Sequence, residues 1–327
     1  MKAILVDKTR ADGLNYSIQK RIFNEAGIEF EMYDCHSESE VVEKCSDADA
    51  MLVIYEKITP KIMDACKNLK VILRYGIGYD CIDVDAATKR GIKVCNSPRH
   101  CLDEVATHTI ALLLAAERHI IAYNDEVRAG GWKVNIFAKP HRLSTQTLGF
   151  IGFGNIARRT ADFAKSFGFN MIAYDPYLSE EVIEAKGAKR VELDELLATA
   201  DVISIHTPLF ESTYHLINRN SIAKMKDGVI IVNTSRGPII ALDDLLDALK
   251  TDKIQCAALD VIETEPNVAV EKVFANKDKI IITPHAAYNS IEAENQMMEV
   301  LANTAVDILK GKTPDNIVNK KALGIIK

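Results

Sequence analysis

The sequence predicts an α/β protein built on parallel sheets, and three observations carry that expectation. Short β-rich runs alternate with helical stretches along the whole chain, which is the spacing of βαβ units. Several of those runs, AMLVI at 50–54 and VIL at 71–73 among them, are apolar throughout, as strands covered on both faces are. A glycine-rich turn, GFGNIA at 152–157, joins one such run to a helical stretch in mid-chain.

In the first hundred residues the expected strands are 3–6, 29–32, 50–54, 70–73 and 92–95, with helices such as 14–26 and 60–66 between them. One long helix is expected over 102–128. Its centre, EVATHTIALLLAAERHI, is apolar on nearly every side and predicts burial between domains or subunits. Trp132, just beyond it, is expected to pack at its edge. A second alternating series follows, with strands at 147–151, 170–174, 202–206, 229–233, 255–259 and 280–283. The chain then closes with a helix over 292–310 and a Pro-containing tail. No internal repeat and no low-complexity segment interrupts this order.

Composition narrows the function classes. The 327 residues suffice for two domains, and 48% apolar with 26% charged residues is the profile of a globular chain. A net charge of −6 with scattered Lys and Arg gives no footprint for nucleic acid or an anionic membrane. No apolar run reaches the roughly 18 residues that span a bilayer. The N-terminal MKAILVDKTR reads as a first buried strand, not a signal peptide. Seven cysteines, odd in number and without a C-x-x-C pair, fit a reduced cytoplasmic setting and no structural zinc. No Asp, Glu or His cluster has metal-ligand spacing, so no metal is expected.

The strongest short motif is Gly152-Phe153-Gly154-Asn155-Ile156-Ala157, which fits G-x-G-x-x-G/A directly after an apolar strand and at the opening of a helix. Gly152 permits the tight turn, Gly154 lets a pyrophosphate approach the backbone, and Ala157 allows close helix–sheet packing. The helix N-terminus offers N–H groups and the positive dipole end to the phosphates. Asp175 ends the next strand, 21 residues after Gly154, where a carboxylate accepts both ribose hydroxyls and repels a 2′-phosphate. Pro176 and Tyr177 follow it instead of an Arg, which favours NAD over NADP.

Three later segments each set polar residues just after a buried strand: Thr234-Ser235-Arg236-Gly237, Asp260 through Glu265 to Pro266, and Pro284-His285-Ala286-Ala287. In open parallel sheets ligands bind beyond the carboxyl ends of the strands, so these loops are expected to crowd one cleft. Reducing a 2-keto acid requires a cation for the carboxylate and carbonyl, a proton donor, and a carboxylate that stabilises the charged donor. Arg236, His285 and Glu265 supply these in turn. Glu263, two residues away, competes with Glu265 for the last role. Glu265 is preferred because it immediately precedes Pro266, as in the family that the chain resembles.

With these motifs in place the chain closely resembles the D-isomer-specific 2-hydroxyacid dehydrogenase family over nearly its whole length. RYGIGYDCIDVDAATKRGIKVCNSP, the glycine turn, Asn233 through Gly237, Ala258-Leu259-Asp260 through Pro266, and Pro284-His285 match its signatures in order and spacing. The resemblance implies Arg236, Glu265 and His285 as the catalytic set, and Asp260 at the nicotinamide side of the cofactor. Thr109, His206, Thr207, Pro208 and Thr234 match positions that line the cofactor. The backbone amides around Tyr75, Gly76, Ile77 and Gly78 resemble the loop that receives the substrate carboxylate. In the branch similar to C-terminal-binding proteins and phosphoglycerate dehydrogenase-like enzymes, Arg74 resembles an Arg that reaches that carboxylate. Tyr288 stands where relatives carry a Trp.

The implied fold is two doubly wound parallel-sheet domains. A Rossmann NAD-binding domain at 99–286 is inserted into a flavodoxin-like substrate-binding domain made of 1–98 and 287–327, with hinges near 97–101 and 284–287. The long apolar helix resembles the family's dimerisation element, so a homodimer is expected. Relatives often carry Asp where this chain has Ala241, which puts support of the neighbouring loop in doubt. The expected activity is hydride transfer between NAD(H) and a small D-2-hydroxy or 2-keto acid. The alternative is an NAD(H)-sensing interaction module of co-repressor type.

Overall fold

The computed structural model describes residues 1–10, 14–135, 138–265, 273 and 277–325. Two compact units divide the chain. One is Met1–His100 with Ser290–Lys327, and the other is Cys101–Asn289.

The first unit carries β1 (Lys2–Leu5), β2 (Glu29–Met32), β3 (Ala50–Val53), β4 (Val71–Arg74) and β5 (Lys93–Cys95). They form one all-parallel sheet in the order β2-β1-β3-β4-β5. Successive strand side chains point to opposite faces, and here both faces are covered. Ala3, Leu5, Leu52 and Leu73 meet Phe23, Met297 and Leu301 on one side. Ile4, Met51, Val53 and Ile72 meet Val41, Ile62 and Ala87 on the other. This double burial is why these strands are apolar without alternation. Four of this unit's helices start at side-chain caps: Ser37, Thr59, Asp83 and Ser290 each accept a backbone N–H from the first turn.

The second unit carries β6 (Thr147–Ile151), β7 (Asn170–Tyr174), β8 (Ala188–Arg190), β9 (Val202–Ile205), β10 (Val229–Asn233), β11 (Ile254–Leu259) and β12 (Ile280–Ile282). All are parallel, in the order β12-β11-β10-β9-β6-β7-β8. The direction of winding reverses between β6 and β9, which creates the crevice where such sheets bind ligands. β8 is absent from the sequence expectation, because AKR at a sheet edge has neither the apolar run nor the length of a central strand.

The helix expected over 102–128 is two helices, Leu102–Glu117 and Ile120–Arg128, bent by 58°. His119 makes the break: its backbone is left-handed at φ 50°, and its Nε2 lies 3.1 Å from the Ala138 carbonyl oxygen. The first helix packs inside its own unit, with Ile110, Leu113 and Ala116 against Phe150, Ala157 and Ala161. The second buries no residue. Trp132 does not pack at a helix edge as expected but stands 85% exposed. Among the described residues no single helix is long and apolar enough to cross a membrane. All seven cysteines are free thiols and six are buried. Burial pushes the Cys66 thiol up to about 11, which makes it inert.

Candidate active site

The glycine turn sits at the winding reversal. Gly152 ends β6 at φ 82°, and a Cβ there would lie 2.8 Å from the Thr207 nitrogen at the end of β9. Only glycine allows the two strand ends to approach so closely. Gly154 is different: a Cβ there would meet nothing within 4 Å. The space beyond it is a cradle facing the start of the helix Asn155–Ala164, whose first turn has no side-chain cap. Asn155 instead turns its side-chain oxygen to Arg158 at 2.7 Å, and Ile156 is half-buried. Open space, uncapped N–H groups and the positive dipole end fit a dinucleotide pyrophosphate.

Asp175 lies over the same turn. One carboxylate oxygen accepts the Phe153 N–H at 2.8 Å and the other the Tyr177 N–H at 2.9 Å, so each keeps acceptor capacity for a ribose hydroxyl. His206 is tied to the Ser204 hydroxyl at 2.8 Å, and burial pushes its imidazole down to about 3, which keeps it neutral. The Pro208 carbonyl anchors the next loop by accepting the Thr213 hydroxyl at 2.7 Å. Thr109 and Thr234, both expected to line the cofactor, join hydroxyls at 2.8 Å. Thr109 is fully buried and also donates to Val105, so it links the helix to the loop that carries Thr234.

The loops after β10, β11 and β12 carry the three expected catalytic residues. Asn233, fully buried, builds the first: its side-chain oxygen accepts from both the Ser235 N–H and hydroxyl, and its side-chain nitrogen donates to the Arg236 carbonyl at 2.9 Å. This Asx turn sends Arg236 outward, with the guanidinium resting on the Ser235 carbonyl at 2.8 Å. His285 has a left-handed backbone, φ 53°, rare outside glycine and common at functional sites. Its Nδ1 lies 3.2 Å from Glu265 Oε2, with both side chains part-exposed. Pro266, the other half of the expected Glu-Pro pair, lies outside the described residues.

Asp260, expected at the nicotinamide, has its side chain shut off from solvent. It accepts the Ala286 and Ala287 N–H groups at 2.9 Å each and the Thr283 hydroxyl, and His108 Nε2 lies 3.5 Å away. The Asp260 carbonyl also accepts the His285 N–H at 2.8 Å. Asp260 therefore holds the strained His285 backbone in place. His108, unassigned from sequence, supports it through Thr283 at 3.0 Å. Glu263 and Glu265, the two candidate carboxylates, have different partners. Glu263 pairs with His215 at 2.6 Å and with the Leu242 N–H at 3.0 Å, while Glu265 faces His285. Glu263 supplies the support that Ala241 cannot.

In the other unit, the Gly76 and Ile77 carbonyls are taken by the Ser97 N–H at 3.0 Å and the Asn96 amide at 2.6 Å. The amide of Tyr75 is spent on the Val53 carbonyl at 2.8 Å, and its ring is buried in the core. The expected group of donors thus shrinks to Gly76, Ile77 and Gly78. Arg74 lies over the Tyr55 ring at 5.8 Å and folds across Gly76, where a Cβ would strike its guanidinium. Tyr288 is half-buried, just before the turn closed by the Asn289 N–H on Ala286.

Comparison with known proteins identifies the family. Residues 110–287 match the family described as D-isomer specific 2-hydroxyacid dehydrogenase, NAD binding domain. A hydroxypyruvate reductase of Blautia hydrogenotrophica is 38% identical over 289 residues, 86% of this chain and 88% of the relative. A D-3-phosphoglycerate dehydrogenase of Methanocaldococcus jannaschii is 38% identical over 321 residues, 98% of this chain and 59% of that longer protein. Among solved structures, a D-lactate dehydrogenase of Aquifex aeolicus complexed with NAD and lactic acid superposes with a TM-score of 0.83 at 29% identity, covering 95% of this chain and 96% of the other. The chain belongs to the D-isomer-specific 2-hydroxyacid dehydrogenase family. It is an NAD-dependent oxidoreductase that moves a hydride between NAD(H) and 2-hydroxy or 2-keto acids.

Proposed function

We propose that this enzyme reduces a small 2-keto acid to the D-2-hydroxy acid, and the reverse, with Arg236, Glu265 and His285 as its catalytic residues. The observation that carries the reading is the His285–Glu265 contact at 3.2 Å, at the same carboxyl edge of the parallel sheet as the cofactor turn. The bound nicotinamide supplies or accepts the hydride. Residues 152–157 and Asp175 hold the dinucleotide by its pyrophosphate and adenosine ribose. Arg236 binds the substrate carboxylate and polarises the carbonyl with a planar fork of donors. His285 gives its Nε2 proton to the carbonyl oxygen in reduction and takes it back in oxidation. Glu265 accepts from Nδ1 and so fixes the ring and stabilises the imidazolium. The amides of Gly76, Ile77 and Gly78, with Arg74, serve the substrate carboxylate, and Tyr288 lies by the substrate. Met1–His100 with Ser290–Lys327 is then the substrate-binding domain, and Cys101–Asn289 the NAD-binding domain.

A homodimer is part of the proposal. Ile120, Ile121, Val127, Trp132 and Val134 expose apolar surface together on and just after the second half of the broken helix, at 45–85% each. Such a patch is covered by a partner in most soluble proteins. A cytoplasmic site of action accords with seven free thiols. The test is NADH oxidation against glyoxylate, hydroxypyruvate, pyruvate and branched keto acids, with NADPH as control and sedimentation to count subunits. Turnover with NADH and at least one acid supports the reading. Tight NADH binding without turnover on any acid would favour the sensing role instead.

A further inference from the structure

Glu263 takes no part in the reaction proposed above, yet its carboxylate joins three segments of its unit. Oε1 lies 2.6 Å from His215 Nε2, and Oε2 accepts the Leu242 N–H at 3.0 Å. The helix Leu242–Lys250 opens after Ala241, which has no side chain to cap it, so a carboxylate from another loop caps it at the positive end of its dipole. His215 is itself held in an unusual place. Its backbone is left-handed at φ 49°, its N–H donates to the Pro238 carbonyl at 2.9 Å, and its ring stacks on Tyr214 with centroids 4.0 Å apart.

Behind this pair the two catalytic loops touch backbone to backbone. A Cβ on Gly237 would fall 2.1 Å from the Ile262 carbonyl carbon and 2.5 Å from the Glu263 nitrogen. Gly237 follows Arg236, and Ile262 and Glu263 lead into Glu265, whose N–H turns back to the Ile262 carbonyl at 3.2 Å. The segment bearing Arg236 and the segment bearing Glu265 are thus pressed together, and the Glu263 side chain ties that contact to His215 on one side and Leu242 on the other.

We propose that Glu263 and His215 form a clasp that positions the Glu265 turn, so that both are positioning residues for proton transfer at His285. The proposal rests on the reading of Glu265 as the partner of His285. Glu265 is about one-third exposed and only 3.2 Å from the ring, so it needs a fixed backbone to stay there. Without the clasp, the Ile262-to-Glu265 turn keeps the buried Ile262 side chain and the contact with Gly237 but no tie beyond Ile262, and its carboxylate spends less time against Nδ1.

Two variants separate the clasp from simple stability. Glu263→Gln keeps the size and an acceptor for Leu242 but removes the charge facing His215. His215→Asn removes the ring, suits the left-handed backbone, and spares the Glu263–Leu242 bond. Each should lower kcat about 10-fold while leaving the NADH dissociation constant, read by fluorescence, within about twofold of wild type. Amide exchange across 261–265 should quicken in both. Placed on a Glu265→Gln background, Glu263→Gln should cost less than about twofold more, because the two act through one carboxylate.

Wild-type kcat in both single variants would overturn the clasp. So would a Glu263→Gln effect that multiplies fully with a slow Glu265→Gln. A Glu265→Gln enzyme as fast as wild type would overturn the proposal together with the reading beneath it.

Discussion

The two sheets reverse their winding at equivalent places, between β1 and β3 in one unit and between β6 and β9 in the other, but the two crevices are filled differently. In the first, Asp7 stands just after β1, fully buried, and its carboxylate accepts the N–H groups of Ile54, Tyr55 and Glu56 at 2.8, 2.6 and 2.8 Å. The chain's own anion occupies the place where this fold would otherwise bind one. In the second, the residues after β6 are Gly152, Phe153 and Gly154. The strand ends close up at Gly152, and open space is left beyond Gly154. The acidic residue here is moved one strand over, to Asp175 after β7, where it accepts the Phe153 N–H and leaves open the space beyond Gly154 that the proposed function gives to the phosphates. One fold thus yields a self-filled crevice and a ligand site, decided by which residue follows the first strand of each half.

Substitutions at these positions sharpen the contrast. Gly152→Ala forces a Cβ against Thr207 at a positive φ, and we expect NADH affinity to fall about 100-fold by fluorescence titration, a loss of about 2.7 kcal/mol. Gly154→Ala meets nothing in the protein, so it should weaken NADH without moving the thermal midpoint. A fall in both would mean that the space beyond Gly154 is structural. Asp7→Ala leaves three backbone N–H groups without their acceptor and should cost the first unit about 2 kcal/mol in denaturant unfolding, with NADH affinity unchanged. If NADH affinity fell instead, the crevices would not be independent. Asp175→Ala should weaken NADH about tenfold and narrow the gap to NADPH, measured as the ratio of the two dissociation constants.

The smallest effect is expected at Glu117, which is buried and accepts from Gln146 at 3.3 Å. Glu117 Oε1 and Gln146 Oε1 have no hydrogen-bond partner among the described residues. Burial raises the Glu117 carboxyl above its ordinary range. The folded form therefore holds this proton more tightly than the unfolded chain. Its contribution favours folding at low pH and is lost as pH rises through the raised value. Glu117→Gln brings a neutral amide that can donate to Gln146, and should stabilise the second unit by about 1 kcal/mol at pH 8. That is about 2–4 °C for a unit of this size. The gain should shrink as pH falls through the raised value toward the ordinary carboxylate range. A gain that grew on acidification would reverse the sign assigned to Glu117.

Much of this organisation was legible in the sequence because double-sided burial writes itself as unbroken apolar runs, and because the glycine turn needs its glycines for steric reasons. β8 was not legible, being three residues of an edge strand with two charges. The break at His119 was not, since a single left-handed residue leaves an amphipathic pattern unchanged. Trp132 was expected at a helix edge but lies beyond the end of the second helix, 85% exposed. At the site, Arg236 and His285 were expected from residue type and strand-end position, and Glu265 over Glu263 from the Glu-Pro pair of the family resemblance. The work of Asp260, Asn233 and Glu263 could not, because each acts by taking backbone N–H groups or holding backbone carbonyls, and those partners are set only by the fold. VNTSRG did hold one signal for Asn233, since Asn before Thr-Ser favours an Asx turn.

The most direct test of the account measures NADH-driven reduction of an accepted keto acid by wild type and His285→Gln, with NADH affinity determined on the same samples. The account predicts that the variant binds NADH within about twofold of wild type and loses about 10³-fold in kcat, the usual scale of a missing proton donor. A variant that binds NADH normally and turns over near the wild-type rate would contradict the assignment of His285, and with it the roles given to Glu265 and to the loops that hold it.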